Sequence, residues 1–496
     1  MDENKKSLIV LGAGLSGLSA GIYALKEGYQ VTLLEKEGYV GGLCTTWGRQ
    51  NECIDGCIHW LTGYKSDKLH EVYVDLGLYD ESQVYSPSYF YTYRFEGQEI
   101  KIYRDLDKFE EELLSFAQEE DKELVKKFVK DCKTMATFPI YKGKPEALMT
   151  MADGLNYKAQ MMPYFRTYVH LMNETLKSFS EKLKTPILKR FFLSFMPKNF
   201  DLAYFAGSIG KFSNGNADLT RLTSKQFAQR AEAKFRSLGG NILFHTEVKE
   251  LNIDADNPKI LSVVDQKGQI YQADNFISTI PLPTFYEKLL PASYQNPSVM
   301  QTIDNPDTPF VSCFLCAFKL DSSYKGEIAH SVSYGSKERF SLAVSDADHL
   351  LVQGYPYMPN KDGSVTLVVM VDQNKEDFQY WNKAREDGTY QEKKQAAVKK
   401  IEEIILAEQK DYEGHLSFLD ASTPYTFYRY SGTYCGSFLS NLDTPDARRK
   451  ELPYQEKSLT NLYYAGQWLK SIGGVPSALE TGRYAVMTLV NAENKI

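Results

Sequence analysis

The chain has 496 residues, of which 43% are hydrophobic and 24% charged, a composition typical of a soluble globular protein. Its net charge of −7 argues against a nucleic-acid binder, which usually carries a basic surface. No run of about 18 apolar residues predicts a membrane span, and no signal-peptide pattern is present. The seven scattered cysteines predict free thiols in a reducing cytoplasm. Aromatic residues, at 13%, are unusually frequent.

The first 35 residues predict a strand–helix–strand unit. Residues 7–11 form an apolar run typical of a buried parallel strand, and a helix over 18–27 leads to a second strand over 31–35. The turn between the first strand and the helix has the pattern G-x-G-x-x-G, from Gly12 to Gly17. This arrangement is typical of a dinucleotide-binding unit.

Each glycine of this turn has a mechanical reason. Gly12 permits the tight turn, Gly14 lets the backbone approach a pyrophosphate, and Gly17 allows close packing of helix and strand. The helix N-terminus favours a doubly negative diphosphate. Glu35 follows Gly14 by 21 residues, where a carboxylate accepts hydrogen bonds from ribose hydroxyls and repels a 2′-phosphate. The unit therefore predicts a nucleotide with a free ribose.

The residues after Glu35 distinguish FAD from NAD. The pair Gly41-Gly42 follows shortly and suits a second close approach to a long dinucleotide. The extended pattern resembles the FAD-binding signature of the flavin amine oxidase superfamily. The resemblance implies FAD as the cofactor and a Rossmann-like FAD-binding domain of the glutathione-reductase type, within an α/β fold. It implies cofactor contacts by Gly12, Gly14, Leu15, Ser16, Gly17, Glu35, Lys36, Gly41, Gly42, Leu43 and His59.

Residues 67–212 predict mainly helices. Aromatic and Met side chains are concentrated from Met161 to Phe205, either as helical core or as the wall around an apolar ligand. Basic residues are interleaved with them, and they predict a solvated face, a site for a lipid carboxylate, or contact with an anionic membrane surface. They are Lys182, Lys184, Lys189, Arg190 and Lys198.

The middle of the chain predicts a second set of cofactor contacts. A helix over 223–237 precedes strands over 241–245 and 246–251, a hairpin over 259–271 and a short strand within 274–283. This order resembles that of the flavin superfamily. The resemblance implies that the backbone of Val248 contacts FAD and that Ser278–Pro281 approaches it as well.

Residues 309–319, 328–344 and 363–372 predict strands of a separate sheet, and 376–410 predict one long charged helix. The segment from Thr423 to Gly436 resembles the Thr-Pro…Tyr…Gly…Gly segment of phytoene-desaturase-like enzymes. Ser437-Phe438 stands where that family often has Tyr-Gly.

The last part of the chain predicts a strand that ends at Gly466, followed by a helix that Gly473-Gly474 opens. In the superfamily this helix points its N-terminus at the pyrimidine edge of the flavin. Gln467 replaces the acidic residue that usually binds the ribitol. The resemblance implies cofactor contacts by Gly466, Gln467, Gly474, Val475, Pro476 and Ala478.

The residues Asp55 to Trp60 resemble the branch of phytoene desaturases, carotenoid isomerases and retinol saturases. This branch implies an FAD-dependent oxidoreductase, a desaturase or saturase, that acts on C–C or C=C bonds of a hydrophobic unsaturated lipid such as a polyene, retinoid or fatty acid. His59 is the first candidate for a proton donor and Tyr430 the second. We expect no metal site, and no motif identifies an electron partner.

Two alternatives stay open. The first is a redox-neutral double-bond isomerase on the same scaffold, and the second is a lipid-escort protein of the Rab-GDI type, which the intact dinucleotide pattern disfavours. An amine or porphyrinogen oxidase is disfavoured by the residues from Asp55 to Trp60. We expect residues 1–66, 213–284 and 421–496 to form the FAD-binding domain, and 67–212 and 285–420 an interleaved α+β substrate-binding domain. Contact with the inner face of a membrane is a further option.

Overall fold

The computed structural model describes residues 5–50, 52–65 and 68–495. The chain to Thr62 contains β1 (Ser7–Leu11), α1 (Leu15–Lys26), β2 (Gln30–Leu34), β3 (Thr46–Arg49), β4 (Glu52–Asp55) and β5 (Leu61–Thr62). The next stretch contains α2 (Lys68–Asp75), β6 (Val84–Tyr85), β7 (Tyr89–Phe95), β8 (Gln98–Tyr103), α3 (Leu106–Phe116), α4 (Lys122–Met135), α5 (Met151–Met161), α6 (Phe165–Met172), α7 (Leu176–Lys182), α8 (Pro186–Phe192) and α9 (Leu202–Ser213).

The second half of the chain is richer in strands. It continues with β9 (Ala217–Thr220), α10 (Ser224–Ser237), β10 (Asn241–Leu243), β11 (Val248–Asp254), β12 (Lys259–Asp265), β13 (Ile270–Gln272), β14 (Asn275–Ser278), α11 (Leu282–Lys288) and α12 (Pro297–Ile303). It ends with β15 (Ser312–Leu320), β16 (Ser331–Ser341), β17 (Asp346–Gly354), β18 (Val365–Gln373), α13 (Lys375–Glu386), α14 (Tyr390–Glu408), β19 (Leu416–Ser422), α15 (Pro424–Ser431), β20 (Leu462–Tyr464) and α16 (Gly474–Glu493).

A five-stranded parallel sheet has the strand order β10-β2-β1-β14-β20. β1 lies at its centre because its apolar residues are buried on both faces, and Leu8 pairs with Val31 on one side and Asn275 on the other. Helix α1 follows β1 and packs closely on α16, where Ser19 Oγ donates a hydrogen bond to the Leu479 carbonyl at 2.6 Å. This topology confirms the predicted α/β fold with a Rossmann-like domain.

A seven-stranded mixed sheet has the order β19-β15-β18-β17-β16-β7-β8. Its neighbours pair antiparallel, except that β16 and β7 are parallel. One face packs on α13 and α14, with Cys316 and Val369 in that core, while Cys313, Leu315 and Met370 belong to a separate cluster on the other face. The sheet therefore has a helix-covered face and a second face that lies toward the functional site.

The prediction of mainly helices over 67–212 is confirmed, although the alternating residues 89–103 form the hairpin β7–β8 at the edge of the mixed sheet. One prediction of secondary structure was wrong. The expected helix over 376–410 is two helices, since Gly388 adopts a φ of +79° between α13 and α14. The strand β17 was not predicted at all.

Candidate active site

A large cavity of about 1530 Å³ lies between the two sheets. Of the residues predicted to contact FAD, all but Gly17 line it, although they come from segments far apart in the sequence. They are Gly12, Gly14, Leu15, Ser16, Glu35, Lys36, Gly41, Gly42, Leu43, His59, Val248, Gly466, Gln467, Gly474, Val475, Pro476 and Ala478. The second proton-donor candidate, Tyr430, lines the same cavity.

The glycine turn after β1 is held by close backbone packing. Gly12 has a φ of +106°, a conformation that other residues rarely adopt, and a Cβ there would lie 2.6 Å from Thr279 Oγ1. A Cβ on Gly17 would lie 2.1 Å from the Gly12 carbonyl oxygen. Gly17 thus does not face the cavity, and its place is the contact between helix and strand that its position predicts.

The N-terminus of α1 is open toward the cavity. Its first residues follow Gly14, which has no side chain to cap the helix, and its first turn contains no acidic residue. A Cβ on Gly14 would have its nearest neighbour at 3.9 Å, so the space above this backbone is free. Gly41 N–H donates to the Ala13 carbonyl at 2.9 Å and brings the second glycine pair beside the first. Both the free N–H groups and the helix dipole favour an anion here.

Glu35 is buried at the end of β2. One carboxylate oxygen accepts a hydrogen bond from Ala13 N–H at 2.7 Å and the other accepts one from Glu37 N–H at 2.9 Å. Burial nevertheless raises the pKa of Glu35 above its ordinary value, and the two backbone donors oppose that shift. The side chain is therefore fixed in place while each oxygen keeps a lone pair for a ligand.

The N-terminus of α16 also lines the cavity. It is preceded by Gly473, with a φ of +78°, and it has no acidic residue in its first turn. Gln467 Oε1 accepts a hydrogen bond from Gly474 N–H at 3.0 Å. The carbonyl end of this amide is thus engaged by the helix, which leaves its NH₂ group available to a ligand.

The two proton-donor candidates differ in environment. His59 is half-buried, its Nε2 has no hydrogen-bond partner among the described residues, and burial lowers its pKa to about 4. Its ring is therefore neutral at pH 7, with one N–H and one lone pair. Tyr430 is 48% exposed and lies at the rim.

The rest of the lining was not predicted residue by residue, and it combines charged side chains, such as Lys211, Arg385 and Arg448, with many apolar ones. It includes Trp47, Trp60, Phe195, Met196, Phe200, Leu315, Leu351, Met370, Phe427 and Phe438. The rings of Trp60 and Phe90 pack edge-on with their centroids 5.3 Å apart, and the centroids of Trp60 and Phe195 lie 5.5 Å apart. Asp372 is an unpredicted acidic residue in this lining, and only the alternation of β18 signals its orientation. The aromatic excess of the sequence is divided between this wall and the core.

The residues of this cavity fit a flavin dinucleotide. Four buried polar atoms that lack a partner in the described part of the chain belong to residues of its lining: His59 Nε2, Ser278 Oγ, Trp468 Nε1 and Glu480 Oε1. Together with two open helix N-termini and Glu35, they offer donors and acceptors for a pyrophosphate, a ribose and a flavin ring. Buried polar groups without partners point to a ligand that is still to be bound.

The comparisons with known proteins agree with this geometry. The family model of flavin containing amine oxidoreductases matches residues 15–490. The chain therefore belongs to this family, FAD is its cofactor, and its class is that of FAD-dependent oxidoreductases.

Relatives by sequence fall in the predicted branch, which they confirm. Human all-trans-retinol 13,14-reductase is 22% identical, covering 85% of this chain and 75% of that protein. The 4,4′-diaponeurosporene oxygenase of Staphylococcus haemolyticus is 20% identical over 99% of each chain. Phytoene desaturase of Fusarium fujikuroi is 36% identical, but the match spans 16% of this chain and only 13% of that protein.

Solved structures share the fold. A triple variant of putrescine oxidase superposes with a TM-score of 0.61 at 14% identity, over 98% of this chain and 99% of that one. An oxidoreductase from Methanosarcina mazei gives 0.56 at 15% identity, over 98% and 100%. In the part of the chain that the structure describes, no helix is both long and apolar enough to cross a bilayer.

Proposed function

We propose that this protein is an FAD-dependent desaturase or saturase that acts on C–C or C=C bonds of a hydrophobic unsaturated lipid of the polyene class. The observation that carries the proposal is the composition of the cavity. One end consists of glycine backbone and helix N-termini, and it continues directly into a wall of aromatic, Leu and Met side chains. Such a wall suits an extended apolar chain.

The two parts of the cavity would have separate tasks. When bound, FAD supplies two-electron hydride chemistry. The N-terminus of α1 and Glu35 would hold its diphosphate and ribose, and the N-terminus of α16 would stabilise negative charge on the flavin ring. The apolar wall would orient the lipid chain and exclude water. His59 is neutral at pH 7, which suits a hydrogen-bonding role better than acid catalysis.

The names of the relatives favour polyenes. Those at high coverage act on all-trans-retinol or on 4,4′-diaponeurosporene, according to their names. Purified protein should show the visible bands of oxidised flavin and bleach anaerobically when it meets a substrate from a panel of phytoene, all-trans-retinol and diaponeurosporene. Dithionite-reduced protein should test the opposite direction. A flavin-loaded protein that converts none of these in either direction would contradict the proposal.

The same experiment separates the alternatives. A desaturase or saturase changes the product by two hydrogens, whereas an isomerase leaves the mass unchanged. A lipid escort would bind the polyene without needing flavin. Peroxide release with putrescine would indicate an amine oxidase.

Replacing Tyr430 with Phe should lower turnover by no more than about threefold, because this exposed hydroxyl lies at the rim.

We further infer that the chain divides as the sequence predicts. All strands of the parallel sheet lie within residues 1–66, 213–284 and 421–496, which supports an FAD-binding domain. The mixed sheet draws its strands from residues 89–103 and 312–422, which supports an interleaved substrate domain.

We also propose peripheral contact with an anionic lipid surface through α5 and α6. Large apolar side chains are exposed there, with Met151 at 85%, Leu155 at 62%, Met162 at 69% and Phe165 at 56%. Residues 151–172 contain one acidic residue against one Lys and one Arg, in a protein of net charge −7. Tyr168 of α6 lines the cavity, so this surface adjoins the substrate site.

Vesicle sedimentation tests this contact. The protein should bind phosphatidylcholine vesicles more tightly when they contain phosphatidylserine, and the double variant Leu155→Gln, Phe165→Gln should lose most binding. Val344→Gln, a similarly exposed apolar position elsewhere, is the control. Equal binding of all three proteins would overturn the proposal.

The basic residues suggested by the sequence are partly engaged within the protein: Lys182 pairs with Glu174, and Arg190 lies 4.3 Å from the centre of the Phe95 ring.

A further inference from the structure

Among the carboxyl groups of the cavity lining, Asp372 lies on β18 beside apolar side chains. Along β18, Leu367, Val369 and Val371 point into the helix-covered core, while Val368 and Met370 belong to the cluster on the other face. Because side chains alternate along a strand, Asp372 lies on the same face as Met370. The accessible surface of its side chain belongs to the cavity that it lines, within the protein, and the other residues of this strand are buried.

The surroundings of Asp372 leave its charge uncompensated. It pairs across the sheet with Cys313 on β15, and the next cross-strand neighbours on that face are Leu315 and Leu351. No described residue forms a hydrogen bond or an ion pair with it. Asp420, another acidic residue of the lining, is by contrast paired with Arg49 at 2.7 Å.

Two titratable groups are packed against this carboxyl group. They are the thiol of Cys313 on β15, whose pKa burial raises, and His349 on β17, whose Nδ1 lies 2.8 Å from Asp348. Burial raises the pKa of Asp372 to about 6, and His349 opposes this shift. Near pH 7 the group is thus mostly ionised, yet it is readily protonated.

A series of backbone hydrogen bonds runs from the strand that pairs with Asp372 to the glycines that open α16. Cys313 follows Val311 by two residues, and the Val311 carbonyl accepts a hydrogen bond from Phe438 N–H at 3.2 Å. Two residues later, Ser440 N–H donates to the Ile472 carbonyl at 3.2 Å, next to the glycines that open α16. Short backbone connections therefore link Asp372 to the helix N-terminus proposed to face the flavin.

We propose that Asp372 is the catalytic group that exchanges a proton with the bound lipid. This rests on the proposed function. In desaturation the Asp372 carboxylate would accept the proton of one C–H bond, whose electron pair forms the C=C bond as the neighbouring carbon loses a hydride; bound FAD would be the two-electron acceptor of that hydride. In saturation the protonated Asp372 carboxyl group would return the proton to carbon, and the reduced cofactor would be the hydride source.

The test compares the FAD-loaded wild type with Asp372→Asn and Asp372→Glu, using whichever of phytoene and all-trans-retinol the wild type converts. Asp372→Asn should keep the flavin spectrum and bind the polyene within about threefold, yet its single-turnover rate should fall roughly 100-fold or more. Asp372→Glu should recover part of the rate.

A second measurement does not depend on activity. Infrared difference spectra of wild type minus Asp372→Asn should show a carboxyl band that titrates near pH 6, and the pH profile of the wild-type rate should have the same midpoint. Asp346→Asn removes a carboxylate from the same sheet outside the cavity, where Asp346 lies near Arg339, and it should leave rate and profile unchanged.

The outcomes separate the two proposals. A rate within threefold of wild type in Asp372→Asn, or an unchanged pH profile in that variant, would overturn the role of Asp372 and leave the proposed function standing. An FAD-loaded wild type that converts none of phytoene, all-trans-retinol and diaponeurosporene in either direction would overturn both.

Discussion

At one end of the cavity the lining is backbone, since Gly12 and Gly41 hold chain segments against one another, whereas elsewhere it is side chains such as Phe195 and Phe438. At Gly12 and Gly41 neighbouring atoms leave no room for a Cβ atom. The side-chain end is bounded by residues that change rotamer or identity at lower cost. The first end suits a cofactor of fixed shape, and the second suits an apolar substrate whose exact length and substituents vary within a class.

The largest effect should come from adding one methyl group at the backbone end. In Gly17→Ala the new Cβ would lie 2.1 Å from the Gly12 carbonyl, so α1 must move away from β1. We expect a loss of about 3 kcal/mol or more in the free energy of unfolding and no retained FAD. Denaturant unfolding and the flavin absorbance measure both.

The matched control is Gly154→Ala in α5, where nothing lies within 4 Å of the new Cβ. This variant should be about 0.5–1 kcal/mol more stable, because alanine favours a helix. Equal stability of the two variants would mean that the glycine turn is not packed as described.

Glu35→Gln should weaken FAD binding about 10- to 100-fold. The change removes the negative charge that accepts from Ala13 N–H and, by proposal, from the ribose. In wild type, FAD affinity should fall on acidification at a higher pH than for an exposed Glu, because burial raises the pKa of Glu35 above 4.5. Titration of cofactor-free protein with FAD at several pH values measures this, and Glu27→Gln at the exposed end of α1 should change nothing.

His59 should make the cofactor-free protein less stable in mild acid. The unfolded ring takes up a proton below its ordinary pKa of 6.5, whereas the folded ring stays neutral down to about 4. Its contribution to stability is therefore present at pH 7 and lost progressively as the pH falls through this window. Between pH 7 and pH 5, the free energy of unfolding of His59→Gln, measured in urea, should fall by roughly 1–2 kcal/mol less than that of wild type. Burial also lowers the pKa of His330 to about 4, but His330 is present in both proteins, so its contribution cancels in the comparison.

The smallest predicted effect concerns the charge near α16. Gln467→Glu places a carboxylate where Gln467 now accepts from Gly474 N–H. A negative charge beside an anionic reduced flavin should lower the midpoint potential of the flavin by roughly 10–20 mV. This shift corresponds to a repulsion of about 1 kcal/mol or less between the two charges. Redox titration measures the shift. Gln226→Glu makes the same change at the N-terminus of α10, outside the cavity lining, and a shift of equal size there would contradict this explanation.

The contrast also explains what the sequence predicts well. Glycines that hold backbone segments together leave a local signature, so the turn at Gly12 and the opening of α16 at Gly474 are recognisable without a structure. The place of Asp372 depends on the register between β15 and β18, which are separated by a long stretch of chain. The hairpin β7–β8 was missed although its alternation and the turn at Gly97 are local, and only its place beside β16 depends on a distant pairing. Side-chain walls are properties of tertiary register, and local patterns reveal them poorly.

The contact between α1 and α16 has a consequence for how the protein matures on the ribosome. Helix α1 emerges early, but its close neighbour α16 and the edge strand β20 are made more than 400 residues later. A Cβ on Gly482 would lie 2.5 Å from the Ser16 carbonyl, so the surface of α1 awaits one specific late partner. Nascent chains that stop before residue 462 would expose an apolar helix face and lack a third of the predicted cofactor contacts. Flavin uptake would then mark completed synthesis, and quality-control proteases would meet the truncated products without it.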